Sequence, residues 1–421
     1  MITPSKELKN EINKNLKKKF DHPITLDNIS NEMQYQRHMP IRPTLHIGQR
    51  KLFLTEVQFL SNYLDSYDDP GYVVYAGAAP SSHTGFLSEL FPNIKFILVD
   101  PNEFYIYLPD RFNHNYIKEN NIIYLKSGND IERYKIKEKE KKVNYFNGRK
   151  VDFIDVKDAK ELNENYLEFI VKSKYSIFII QDLFTNQLAE ELSQLECYFW
   201  SDIRTEGGDE APGDFDLLWN LSMQYNWMKI INPISSMLKF RTPFFNEVEK
   251  TLKLIKEGNE DFKLSKKYGL DIINSYKKKN LRYPRGKIYI QAWPGETSSE
   301  TRLIIDNSDI LIDYDYHEYE DKLFWYNNVE RPYCYHINKF IVESEGFDNC
   351  GDCALEGKIY EDYEKIYGKK IDINYMLQRA KYLSGGRELI KFGHGKLYDN
   401  IRWTTVEDMM LEAFEKTWRK H

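Results

Sequence analysis

The chain has 421 residues, 41% of them hydrophobic, enough to bury a substantial core in one large domain with insertions or in two ordinary ones. Four cysteines exclude a disulfide framework and fit a reducing compartment. With no signal-peptide segment and no run of about eighteen apolar residues, a soluble intracellular protein without a membrane partner is expected. A net charge of −6 excludes holding nucleic acid by the overall field, so any such ligand needs a local basic surface.

Residues 1–45 read as a polar arm ending in Pro40 and Pro43. From Gln49 to Tyr63 the apolar residues recur at helical spacing and predict a helix. YVVYAGAAPSSHTGFLSELF then changes period from strand to small-residue loop to helix, the opening unit of a parallel α/β sheet, and KFILVD (95–100) is a second buried strand. Residues from about 105 to 175 are charge-rich and read as an insertion. The alternation resumes with the strand SIFIIQD, the helix LAEELSQL, the strand CYFWSD ending at Asp202, the helix DLLWNLSMQYNWM and the strand around SSMLKF. A second insertion spans about 247–285, after which KIYIQAW and TRLIID alternate like adjacent strands. The order of elements beyond Arg331 is not legible. This pattern predicts a Rossmann-like α/β fold with a mostly parallel central sheet over 46–332, two insertions, and a C-terminal extension over 333–421.

The loop Gly77-Ala78-Ala79-Pro80-Ser81-Ser82-His83 sets small side chains where a strand yields to a helix. Such a turn lets a ligand approach the backbone and offers N–H groups to a carboxylate or phosphate, although a purely structural βα turn has the same composition. Its spacing departs from GxGxxG, which argues against a dinucleotide, and Asp100 ends the next strand where acids bind ribose hydroxyls. Lys51, Asp202, Lys239 and Glu300 are far apart in sequence, yet the last three fall at strand ends, where α/β sheets form their ligand crevice. One such charge is ordinarily a solvated side chain, but four together make a candidate site.

Cys334, His336, Cys350 and Cys353 form C-x-H-x13-C-x2-C, a spacing open both to a structural tetrahedral zinc and to ordinary buried thiols. SYKKKNLRYPRGK (275–287) interleaves Lys and Arg with Tyr276 and Tyr283, as an RNA backbone track or a solvated insertion would.

The blocks GQRKLFLTEVQFLS, VVYAGAAPSSH, SDIR with a glycine pair shortly after, INPISSMLKFRTPF, SSETRL and YEDKLFWYN occur in this order over roughly residues 45–330. In them the chain resembles the poxvirus cap-specific mRNA 2′-O-methyltransferases, which also serve as the small regulatory subunit of the poly(A) polymerase. The resemblance implies an S-adenosylmethionine-dependent methyltransferase domain whose Lys-Asp-Lys-Glu tetrad falls on Lys51, Asp202, Lys239 and Glu300. It implies that the cofactor is held by Gln49, Tyr75, Gly77, Ser81, Asp100, Asn102 and Asp202, with the adenine near Ile180 to Asp182. Capped mRNA would meet Phe244 as a stacking ring, Glu320 and Asn246 at the base edge, Arg241, Ser298, Ser299 and Glu300 near the first nucleotide, and Tyr35 as an N-terminal stacking residue. Three positions depart from the family pattern: Ser81 replaces a glycine, Asn246 an aspartate and Asn102 an arginine.

Methyl transfer from a sulfonium needs alignment and removal of a proton from a weakly acidic 2′-hydroxyl, for which a neutral lysine serves. On this reading Lys239 is the base, Lys51 holds the ribose oxygen and biases Lys239 toward neutrality, and Asp202 and Glu300 orient both lysines. A second function is open on the same fold, that of an RNA-binding processivity subunit with a poly(A) polymerase catalytic subunit as partner. The source implied is a large DNA virus, with the protein in the host cytoplasm and the virion.

Overall fold

The computed structural model describes residues 17–18, 24–32, 34–35, 48–102, 104, 106, 122–125, 144–146, 149–151, 166–173, 175–205, 213–244, 278–295, 298–306, 310–331, 335–336, 347 and 351–383. Helix α1 (Gly48–Tyr63) leads into strand β1 (Gly71–Ala76), helix α2 (Thr84–Leu90) and strand β2 (Ile94–Val99). There follow β3 (Ile122–Leu125), α3 (Tyr166–Lys172), β4 (Ile177–Ile180), α4 (Asn186–Leu192), β5 (Tyr198–Ser201), α5 (Asp214–Ile231) and β6 (Ser236–Phe240). The remainder comprises β7 (Asn280–Pro284), β8 (Lys287–Tyr289), β9 (Thr301–Ile305), β10 (Leu311–Asp315), α6 (Tyr316–Trp325), α7 (Gly351–Tyr367) and α8 (Ile373–Leu383).

The central sheet has eight strands in the order β8-β9-β6-β5-β1-β2-β4-β3. All pairings from β6 to β3 are parallel, and only β9 against β6 and β8 against β9 are antiparallel. This is the expected Rossmann-like methyltransferase fold. Strands inside a parallel sheet are covered on both faces, so they read as unbroken apolar runs: β4 (IFII) and β5 (YFWS) are buried at every position. KIYIQAW and TRLIID pair as expected, with Lys287 opposite Ile304. Within the stretch read as the first insertion, Ile122–Leu125 pairs with β4 and forms the sheet's edge. Within the second, Asn280–Pro284 pairs with β10 as a separate two-stranded sheet. From the arm, Ile24, Leu26 and Ile29 are buried, and Ile24 accepts a backbone hydrogen bond from Ile290 at 2.8 Å.

Chain order reverses between β1 and β5, and ligands of open α/β sheets bind at such a point, beyond the strands' carboxyl ends. Gly77 makes the approach of the two exit loops possible. Its φ is +75°, and a Cβ there would stand 2.6 Å from the Ile203 nitrogen and 2.9 Å from the Asp202 carbonyl carbon.

Helix α7 is tied to the same domain by buried polar contacts. Arg50 of α1 pairs with Glu356 at 2.5 Å, both fully buried, and its guanidinium lies 4.4 Å over the Trp293 ring. Trp293, held at φ +60°, donates its backbone N–H to Asp352 and its indole N–H to Glu356, both at 2.8 Å. The other Glu356 oxygen accepts from the Tyr360 hydroxyl at 2.6 Å. Among the described residues no helix is long and apolar enough to cross a membrane.

Candidate active site

Three sheet strands and the first turn of α1 bring the four predicted ionisable residues into one ion-paired cluster. Lys51 Nζ is 2.5 Å from Glu300 Oε1, across 249 residues of sequence. Lys239 Nζ is 3.1 Å from Asp202 Oδ1 and 3.4 Å from Glu300 Oε2. Lys239 sits on β6, Asp202 follows β5, and Glu300 immediately precedes β9, whose Arg302 is the register partner of Lys239. The Lys239 backbone is held in place by Gln224 of α5, which donates to its carbonyl at 2.8 Å.

Sequence reasoning missed a fifth member, Arg302. Its side chain, 2% exposed, donates to Asp202 Oδ1 at 2.7 Å and to Glu300 Oε1 at 3.1 Å, tying the two acids together. The signal was present: in a strand period of two, Glu300 and Arg302 share a face.

The electrostatics run against the expected bias of Lys239 toward neutrality by Lys51. Burial dominates at Lys51 and lowers its pKa, with Arg302 adding to the effect and Glu300 and Asp202 opposing it. Burial also pulls Lys239 down, but Asp202 and Glu300 together outweigh it and raise Lys239 above its ordinary value. The cation that opposes them at Lys239 is Arg302, where Lys51 was expected. Glu300, despite its own burial, is held well below the carboxylate range by Lys51, Lys239 and Arg302. Access divides the lysines too: the Lys239 side chain is 26% exposed and Lys51 only 7%.

Beside the cluster lies the loop after β1. Gln49 Oε1 accepts from the Ser82 backbone N–H at 3.0 Å, and Asp100 Oδ2 accepts from the Ala79 N–H at 3.2 Å while its Oδ1 accepts from Asn102 at 2.8 Å. Ser81 adopts φ +52°, a left-handed conformation that suits the glycine of the family pattern, and anchors itself through Thr84 Oγ1 at 2.5 Å. Tyr75 and Ile180 are buried in the core, leaving main-chain groups as what they present to the crevice. The Tyr75 hydroxyl is held well above its ordinary pKa, first by burial and then by the negative charge of Glu56. Asn102 and Asp182 are exposed at the crevice rim.

A second constellation assembles around Phe244. Tyr35 and Phe244, distant in sequence, face each other with ring centroids 5.4 Å apart and planes at 30°, and Phe324 meets Tyr35 edge-on at 5.4 Å. Two ring gaps at van der Waals distance need roughly 7 Å, so a flat ligand would enter by a small parting of Tyr35 from Phe244. Arg241 lies 4.5 Å over Phe244 and pairs with the buried Asp214 at 3.2 Å. Asp214 also accepts the Phe244 backbone N–H at 3.1 Å, so an acid opening α5 fixes both residues, a role not expected from the sequence. Glu320 is buried on α6, and the next residue, Asp321, accepts the Tyr35 N–H at 2.9 Å. Ser298 and Ser299 are braced by Asn327 at 2.8 Å and by the Tyr319 hydroxyl at 2.7 Å.

Asn246, Cys334 and Cys350 lie outside the described residues, and of His336 only the backbone is described. Cys353 is buried in α7, and among the described residues no group of three or more His, Cys, Asp or Glu could hold a metal ion.

Two comparisons with known proteins place the chain in a family. The family model described as the poly A polymerase regulatory subunit matches residues 19–143 and 111–272. Two relatives, the cap-specific mRNA (nucleoside-2′-O-)-methyltransferases of Myxoma virus strains Lausanne and Uriarra, are 23% identical over 248 residues. That alignment covers 57% of this chain and 56% of each relative, so the match spans little over half the length of these relatives. With the family model matched over more than half of its 421 residues, the chain belongs to the poly A polymerase regulatory subunit family.

Proposed function

We propose that this protein transfers a methyl group from S-adenosylmethionine to the ribose 2′-hydroxyl of the first transcribed nucleotide of capped mRNA. The observation that carries the reading is the convergence of Lys51, Asp202, Lys239, Glu300 and Arg302 beside the Gly77 loop at the reversal point of the sheet. The relatives named as cap-specific methyltransferases support it.

The residues present fit the cofactor. Asp100 offers carboxylate oxygens at the end of β2, and Gln49 carries amide hydrogens that, among the described residues, have no acceptor. Gln49, Gly77, Ser81, Asp100, Asn102 and Asp182 would hold it, and when bound it supplies the methyl group as a sulfonium. Lys239, the more exposed lysine, takes the proton of the 2′-hydroxyl at its Nζ. Asp202 and Glu300 aim that nitrogen, and Arg302 keeps the two acids from collapsing onto it alone. Lys51, locked to Glu300, orients the ribose oxygen. Tyr35 and Phe244 clasp the cap base, with Glu320 at its edge. Tritium transfer from labelled S-adenosylmethionine to short RNAs bearing a methylated cap, but not to uncapped ones, is the expected result. Phe244→Ala should weaken capped-RNA binding by about 1–3 kcal/mol, the worth of one aromatic stack. An unchanged preference of that variant for capped over uncapped ends would reduce Phe244 to a packing residue.

The pH dependence follows from the charges around Lys239. Asp202 and Glu300 raise its pKa, so the neutral, proton-accepting form appears only as pH rises, and the rate should climb through the alkaline range. Asp202→Asn removes one raising charge and leaves the Arg302 charge less compensated, and both changes lower Lys239. The midpoint of the pH–rate profile should therefore move to lower pH, even as the maximum rate falls. A midpoint shifting upward would mean that the titrating group is not Lys239.

A second reading is favoured by the family match: an RNA-binding regulatory subunit of a poly(A) polymerase. The two roles are compatible. Methyl transfer by the isolated chain distinguishes an enzyme from a subunit that only binds RNA.

A further inference from the structure

The buried pair Glu56–His83 takes no part in the chemistry described above. His83 is fully buried, and Glu56 is 1% exposed. The imidazole Nε2 lies 2.7 Å from Glu56 Oε2, and Nδ1 lies 3.0 Å from Gln49 Oε1. Gln49 and Glu56 stand seven residues apart on α1, two turns along one face, so the helix presents both to the ring at once.

The hydrogen-bond arithmetic fixes more than the ring. A backbone N–H can only donate, so the Gln49 atom 3.0 Å from the Ser82 nitrogen is the carbonyl oxygen and not the amide nitrogen. That oxygen accepts only, so His83 must carry a hydrogen on Nδ1 and donate it to Gln49. Glu56 completes the arrangement at Nε2, whichever of the two holds the proton between them. With its carbonyl claimed by Ser82 and His83, Gln49 turns its NH2 group away from both, and among the described residues that group has no acceptor.

We infer that His83, pinned by Glu56, is a positioning residue that sets the Gln49 amide so that its Nε2 donates to the carboxylate of the amino-acid end of the methyl donor. This rests on the S-adenosylmethionine reading. A carboxylate is the group that suits: an amide hydrogen bond to a charged acceptor is stronger than one to a neutral acceptor. The loop bearing Ser82 and His83 leaves β1 at the reversal point of the sheet, and Lys51 is only two residues beyond Gln49.

Two measurements test this. In the ligand-free full chain, the nitrogen-15 resonances of the His83 ring should show a proton on Nδ1, and a bare Nδ1 would overturn the inference without reference to any ligand. The second is calorimetric binding of S-adenosylmethionine and of 5′-methylthioadenosine, which lacks the amino-acid end. Gln49→Glu keeps both hydrogen-bond acceptors for Ser82 and His83 but removes the donor, so S-adenosylmethionine affinity should fall roughly 10- to 100-fold while methylthioadenosine binds as before. His83→Phe should produce the same split in milder form. If Gln49→Glu binds S-adenosylmethionine as well as the parent, Gln49 serves only as an acceptor within the loop and the inference fails. If the parent protein binds methylthioadenosine but not S-adenosylmethionine, the inference fails too. Binding of neither by the parent would instead bring down the cofactor reading on which it rests.

Discussion

Lys239→Ala should cut methyl transfer by roughly 10²–10⁴-fold, the range that a positioned general base contributes, while S-adenosylmethionine affinity stays within a few-fold of the parent. The lysine is set to act on the substrate hydroxyl, and the Gly77 loop and Asp100 do not depend on it. Lys239→Arg should fail almost as badly, because a guanidinium cannot give up its proton and so cannot accept another. Lys51→Ala makes the informative contrast. Lys51 is the lysine whose pKa is lowered, chiefly by burial, yet it is locked 2.5 Å from Glu300 with a side chain only 7% exposed. Its loss frees Glu300 to bind Lys239 more tightly, which should lower the rate and move the pH–rate midpoint upward. Retained turnover in Lys239→Ala, with loss in Lys51→Ala, would exchange the two roles.

The parts of this molecule that were legible in the sequence are those set by one strand or one helix at a time. Runs such as IFII and YFWS announce strands covered on both faces, and the apolar stripe from Gln49 to Tyr63 announces α1. Asp202, Lys239 and Glu300 are marked by their places at strand ends, but the roles of all four, Lys51 included, come from the resemblance. What was not legible depends on partners distant in sequence. Arg302 looks like any polar residue in TRLIID until β9 is laid against β6 and the arginine falls opposite Lys239. Asp214 sits in a loop-like GDFD, and its grip on Arg241 and Phe244 exists only once α5 and the exit of β6 meet. The sign of the Lys239 shift failed for a related reason. A second cation was foreseen, but the two carboxylates at 3.1 and 3.4 Å are what decide it. The order beyond Arg331 was opaque because α7 has little amphipathic contrast to read: its first ten residues are all buried, and Asp352 and Glu356 among them face inward in ion pairs.

Those inward charges carry the largest stability effect expected here. Glu356→Ala should cost about 3–5 kcal/mol, because it strands the buried guanidinium of Arg50 without a counter-charge. It also strips an acceptor from the Trp293 indole and another from the Tyr360 hydroxyl. Arg50 has little to fall back on: its Nε and Nη1 make no hydrogen bond among the described residues, and the face of Trp293 at 4.4 Å is a weaker partner than a carboxylate. The double variant Arg50→Met, Glu356→Leu should recover most of the loss, since it leaves no charge buried alone and fills the same space with apolar atoms. Urea unfolding of the parent, both singles and the double gives the coupling directly. A Glu356→Ala cost below about 1 kcal/mol would mean that water or a neighbouring acid reaches Arg50, and that α7 is docked by its apolar face alone. The same set bears on the active site, because Arg50 immediately precedes Lys51 on α1. If the ion pair fixes the start of that helix, Glu356→Ala should lower methyl transfer at a temperature where the protein is still folded, and the double variant should restore it.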